Sequence, residues 1–161
     1  MRKFVFIAAI TATLMGVASC EARKHDNVVS FKEDDAGMAA AIAQARQTTD
    51  TFLARLNQPS TPNDYVAVKI ALPTTDGSLE HIWCGNVQFA NGVFTATIAN
   101  DPRDTQYKFG QQVTAPKAEI SDWMYVQDGK LVGGYTIRYM HSTMTPDEQT
   151  KFREGMPFRF E

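Results

Sequence analysis

The chain has 161 residues, a net charge of −2, and is 43% hydrophobic and 21% charged. That length fits one domain of ordinary globular composition, and the acidic balance disfavours nucleic acid, which needs a basic footprint on the protein. No run of about 20 apolar residues is present to cross a bilayer as a helix.

The N-terminus carries an address. Met1-Arg2-Lys3 is a basic head, residues 4–17 are mostly apolar, and Val17-Ala18-Ser19-Cys20 follows. This is the layout of a secretory signal. Small residues at 18 and 19 before a cysteine resemble the bacterial lipobox. That resemblance implies cleavage before Cys20, diacylglyceration of its thiol and acylation of its amine. Residues 1–19 are then a lipoprotein signal peptide, and the expected partner is a membrane, reached through lipid on Cys20. The alternative is a plain secretory signal with Cys20 an incidental thiol. Each buried methylene contributes about 0.8 kcal/mol, so two or more acyl chains hold a protein stably on a bilayer. The expected location is the bacterial envelope, facing the periplasm. By analogy with Gram-negative sorting, Glu21 leans that expectation towards the outer membrane. With Cys20 lipidated, Cys84 is the one remaining thiol and no internal disulfide can form.

Residues 20–33 mix charges without a clear period and read as a tether, with Val28-Val29-Ser30-Phe31 as a possible short edge strand. A single domain is expected over residues 34–158. Asp34 or Asp35 caps a helix running to about Leu56. Its apolar stripe is Met38, Ile42, Ala45, Thr49, Phe52 and Leu56, and the stripe should pack on a sheet. Val66, Val68, Ile70 and Leu72 alternate as one face of a half-buried strand. Asn91-Gly92 closes a hairpin of two strands, residues 80–90 and 93–100. Pairing through that turn puts Trp83, Gly85, Val87, Phe89, Phe94, Ala96 and Ile98 on the apolar face, with Ile82 and Cys84 on the other. A short strand over residues 112–115 follows.

Asp128-Gly129 closes a second hairpin. Continued through residues 120–137, its pairing sets Met124 against Gly133, Trp123 against Gly134, Asp122 against Tyr135 and Ile120 against Ile137. One face then carries Ile120, Met124, Val126, Leu131, Tyr135 and Ile137, with Asp122 as a buried polar group in need of a donor. The outward face carries Trp123, Tyr125, Val132, Thr136 and Arg138. Thr145-Pro146-Asp147-Glu148 starts a last helix through a capping box, Gly155 ends it, and a tail with Phe158 and Phe160 can dock. The expected class is α+β: an N-terminal amphipathic helix, an antiparallel meander of five or six strands and a short C-terminal helix.

The order of Glu80-His81-Ile82-Trp83, Asn100-Asp101-Pro102 and the run ISDWMYV-x-DGK-x-VGGYT resembles the YegJ-like bacterial family classed as a domain of unknown function. The resemblance covers residues 35–152. It implies domain limits and a fold, and supplies no activity, cofactor or catalytic residue.

Chemistry is sparse. His81 and Cys84 are three apart on a strand and point to opposite faces. The three histidines, 25, 81 and 141, are scattered and fit no zinc spacing. Glu80, Asp101, Asp104 and Asp122 are acids that sequence does not bring together. No cofactor and no metal is expected. The leading expectation is a non-enzymatic, membrane-tethered module that binds a protein or envelope ligand through Trp123, Tyr125 and Arg138. The alternatives are an enzyme acting on an envelope component and an immunity-type inhibitor of a secreted toxin.

Overall fold

A computed structural model describes residues 35–59 and 65–160. The segments expected to be a signal peptide (residues 1–19) and a tether (residues 20–33), with Cys20, lie outside the described residues. The fold is α+β, with four α-helices and one six-stranded antiparallel sheet among the described residues.

Asp35 opens helix α1 (Ala36–Gln47), its Oδ1 accepting from the Met38 amide at 2.8 Å. The single helix expected to Leu56 is in fact two. Helix α2 (Thr49–Leu56) begins after a break at Thr48, where φ is −100° and ψ is 8°. The side chains explain the break. Thr48 Oγ1 donates to the Gln44 carbonyl at 2.8 Å, and Thr49 Oγ1 donates to Arg46 O at 2.9 Å. Two consecutive threonines bonding back to the preceding turn compete with the helical ladder.

The strands are β1 (Val66–Pro73), β2 (Leu79–Ala90), β3 (Val93–Ile98), β4 (Gln112–Pro116), β5 (Ile120–Gln127) and β6 (Lys130–Gly133), in the spatial order β4-β3-β2-β1-β5-β6. The first four form a meander, and β5 then returns to the free side of β1. Laid flat, β4 and β5 would stand about 19 Å apart, at about 4.8 Å per strand. The four residue steps from Pro116 to Ile120 reach at most about 14 Å. The sheet therefore curls, and its concave face closes on the helices. Phe52 of α2 sits at the focus, stacked on Trp123 with centroids 5.4 Å apart and tilted against Phe94 at 6.1 Å. Val68, Ile70, Ile82, Cys84, Ala96, Ile98 and Ile120 complete this core.

Both hairpin turns form as expected, with left-handed Asn91-Gly92 and Asp128-Gly129. The faces of the first hairpin do not. Phe89 pairs with Phe94, but the register shifts between Gly85 and Gln88, so Cys84 pairs with Ile98. Asn86, at φ 50°, occupies the bulge. The extra residue turns Ile82 and Cys84 into the core and Trp83 and Gly85 to the other face, the reverse of simple alternation.

Helix α3 (Tyr135–Ser142) and helix α4 (Pro146–Glu154) follow β6. Thr145 and Glu148 form the reciprocal capping box of α4. The tail pairs with the outer edge of β6: Leu131 N donates to Arg159 O at 3.0 Å and Arg159 N to Gly129 O at 2.9 Å. Phe158 joins Ala67, Met124, Leu131 and Ile137 in a second core on the other face of the sheet.

Candidate functional site

The second hairpin pairs in the expected register from Gln127–Lys130 to Met124–Gly133 and then stops. The pairings of Trp123 with Gly134, Asp122 with Tyr135 and Ile120 with Ile137 do not exist. Gly133 and Gly134 both adopt left-handed conformations, at φ 74° and 65°. Residues in that region leave a strand, and the chain turns into α3. The Gly134 amide still donates to Trp123 O at 2.8 Å.

Asp122 holds the start of that helix. Its carboxylate is fully buried and accepts four hydrogen bonds. Oδ1 takes the amides of Trp123 at 2.8 Å and Tyr135 at 3.1 Å; Oδ2 takes the Thr136 amide at 2.8 Å and its hydroxyl at 2.7 Å. A carboxylate at a helix N-terminus satisfies amides that have no partner within the helix and suits its positive end. Burial holds the Asp122 pKa above its usual value, opposed by the Thr136 and Trp123 donors and by the charge of Lys69.

Lys69 reaches the same place from β1. Its Nζ donates to Thr136 Oγ1 at 3.3 Å and lies 5.3 Å from the centre of the Trp83 ring. Burial lowers its pKa, against the pull of Asp122. A lysine beside a hydroxyl is the pairing that activates a nucleophile. Here it does not serve that purpose: Thr136 is 3% exposed and its hydroxyl proton is committed to Asp122. The relay Lys69–Thr136–Asp122 joins sheet to helix. His81 stands exposed on the same face of the sheet, and desolvation by its surroundings, then the charges of Lys69 and Arg46, hold its pKa below 6.5. Lys69 escaped the sequence reading, although a lysine inside the apolar run of residues 66–72 is a visible signal; Thr136, expected on the outward face of a strand, lies instead in the first turn of α3.

The expected outward face of Trp123, Tyr125 and Arg138 is corrected. Trp123 is 1% exposed and Tyr125 8%. Trp123 Nε1 donates to Ala45 O at 2.8 Å, because α1 and α2 cover the concave face. Arg138 lies on α3, not on a strand. It donates from Nε to Gly133 O at 2.9 Å and from Nη2 to Leu131 O at 2.6 Å.

Arg138 is nevertheless at an open surface. It lines a groove of about 530 Å³ between α1 and α3 with Gly37, Ala40, Ala41, Gln44, Tyr135, Tyr139 and Ser142. Gly37 lies against the Tyr139 ring so closely that no Cβ fits without displacing the ring. The Tyr139 hydroxyl donates to Asp35 Oδ1 at 2.8 Å. The smallness of Gly37 admits the Tyr139 ring, that of Ala40 and Ala41 leaves the hollow beside it, and the Tyr139–Asp35 bond fixes one end of it.

The remaining candidates serve the fold. Cys84 is buried, and burial pushes its thiol up to about 12. Glu80 accepts the amides of Arg103 at 2.8 Å and Asp104 at 3.1 Å. Asp104 in turn accepts from the Thr75 amide and hydroxyl. These bonds tie the loop after β3 to the β1–β2 turn. Among the described residues no three His, Cys, Asp or Glu side chains converge to hold a metal.

Comparison with known proteins gives three findings. The family described as DUF2314, uncharacterized protein conserved in bacteria, matches residues 35–160. The uncharacterized protein YegJ of Escherichia coli K12 is 38% identical over 130 residues, covering 80% of this chain and 82% of that protein. A Neisseria meningitidis serogroup B protein, provisionally named for ankyrin repeats, is 30% identical over 135 residues; the match covers 78% of this chain and 53% of that protein. No solved structure matches.

Proposed function

The chain belongs to the bacterial DUF2314 family, and on that premise we propose that it is a lipid-anchored, non-enzymatic binding module of the cell envelope, which takes an apolar segment of an envelope protein in the α1–α3 groove. The observation that carries this reading is the groove. It is an open hollow with small residues on its floor and Tyr135, Arg138 and Tyr139 on α3 beside it. Aromatic and arginine side chains beside a hollow are the residue types on which binding energy concentrates. Support for a module without catalysis is that the groups chemistry would draw on are tied into the fold: the Thr136 hydroxyl, the Cys84 thiol, and the Glu80, Asp104 and Asp122 carboxylates. Support for the anchor is the order of basic head, apolar run and Val17-Ala18-Ser19-Cys20.

Two experiments test the two halves. Cys20→Ser should abolish fatty-acid labelling and free the domain from membranes; unchanged labelling removes the anchor. Ala40→Glu places a charge on the groove floor at an exposed position and should abolish envelope crosslinks formed from a photoreactive residue at Gln44. Crosslinks unaffected by that charge would exclude the groove.

A further inference from the structure

We propose that Lys69, His81 and Arg46 form an anion site, on the sheet face opposite the main core, that binds a phosphate group. Strand register builds the site. Lys69 pairs with Trp83 and Ala71 with His81 across β1 and β2, so Lys69 and His81 are diagonal neighbours on one face, about 7–8 Å apart. Ala71, opposite His81, is half-buried and too small to fill the space between them. Trp83 stands beside that space, with Lys69 Nζ 5.3 Å from its ring centre. Arg46 arrives from α1, tied by Nε to Ile120 O at 2.8 Å. Ile120 pairs with Ile70, the residue between Lys69 and Ala71. The charges of Lys69 and Arg46 both act on the His81 ring.

Donors outnumber acceptors here. An ammonium carries three N–H groups and a guanidinium five. Lys69 commits one, to Thr136 Oγ1 at 3.3 Å, and Arg46 commits the one on Nε. Among the described residues, their other N–H groups and both ring nitrogens of His81 have no hydrogen-bond partner. The neighbouring carboxylates are already engaged. Asp122 accepts from Trp123, Tyr135 and Thr136. Glu80 points to the other face of β2 and accepts the amides of Arg103 and Asp104. Three donor-bearing side chains around one spot fit a ligand whose oxygens point in several directions. A phosphate offers tetrahedral oxygens, whereas a carboxylate offers two in one plane. The chain as a whole carries a charge of −2, so the cluster is a local reversal of sign that focuses an anion at one place.

A phosphate group can come from a lipid headgroup or from a soluble phosphate, so two probes are used: inorganic phosphate, and dihexanoyl-phosphatidylglycerol below its micelle concentration. Each is added to the full chain carrying Cys20→Ser, at pH 7 and constant ionic strength. Phosphate should shift the NMR signals of the Trp83 indole N–H and the Ala71 amide saturably, and acetate should bind about tenfold more weakly. His81→Glu, at an exposed position, should abolish the shift, and Arg46→Gln should weaken binding about tenfold. Gln88→Glu adds the same charge at another exposed position of β2 and should leave binding unchanged. Tighter binding of the lipid than of inorganic phosphate assigns the site to a headgroup, and the reverse assigns it to a soluble phosphate; either supports it. No saturable shift, an equal affinity for acetate, or a shift that survives His81→Glu would overturn the site. None of these readouts involves the α1–α3 groove or lipid on Cys20, so failure here leaves the proposed envelope role standing, and failure of that role leaves the anion site standing.

Discussion

Gly133 lies against Trp123: a Cβ built on that glycine would be 2.6 Å from the indole ring, and its φ is +74°. The contact explains how the chain leaves the sheet. A side chain at 133 would collide with the strand beside it and also resist the left-handed backbone.

Gly133→Ala should therefore cost roughly 3 kcal/mol or more, combining backbone strain and overpacking. Gly85, with open space around its Cα, should accept alanine with little change. Urea unfolding of the two variants checks the contrast. Similar losses at both sites would contradict it.

Asp122→Ala leaves three buried amides without an acceptor and Lys69 without its nearby anion, and should cost roughly 3–5 kcal/mol. Asp122→Asn should cost less, since one oxygen still accepts. Lys69→Met combined with Asp122→Asn should be less harmful than the two changes added, with a coupling of roughly 1–3 kcal/mol in a double-mutant cycle. Additive losses would show that the relay carries no joint energy.

His81, exposed at the surface of the sheet, should titrate below 6.5 by NMR, because desolvation by its surroundings first, and then Lys69 and Arg46, disfavour its charged form. The sign for stability follows. The folded pKa is depressed, so the contribution of His81 is fully present above 6.5 and is lost as pH falls through the folded value. Lys69→Met should move the midpoint upward. An unchanged midpoint would remove Lys69 as a cause.

Cys84 should be inert. With its thiol pushed up to about 12 and buried, a Cys20→Ser chain should give no reaction with Ellman's reagent at pH 8 until it unfolds. Rapid labelling of the folded chain would contradict the burial.

Much of the fold was legible because local rules agreed with tertiary ones. The alternation of Val66, Val68, Ile70 and Leu72, the two left-handed turns and the Thr145–Glu148 capping box all needed no distant partner to be read. What was not legible depended on single residues that break a period. One left-handed Asn86 exchanged the faces of β2, burying Cys84 and turning Trp83 out of the main core. Two glycines end β6, so residues 135–137, expected to continue the strand, instead begin helix α3. The site was less legible than the fold. Asp122 announced itself as a polar group on an apolar face, whereas its donors at Tyr135 and Thr136 are set by the turn at Gly133–Gly134. The groove was invisible, because it joins Gly37 and Tyr139, about a hundred residues apart in sequence, through a sheet whose curl no local pattern encodes.

The most direct measurement compares two photoreactive positions on the full chain in intact cells: Gln44 in the groove and Gln88, exposed on β2. A module that binds through the groove should give a discrete envelope-protein adduct from position 44 that Ala40→Glu abolishes, and none from position 88. The same adduct from both positions, or an adduct from 44 that survives Ala40→Glu, would contradict binding at the α1–α3 groove.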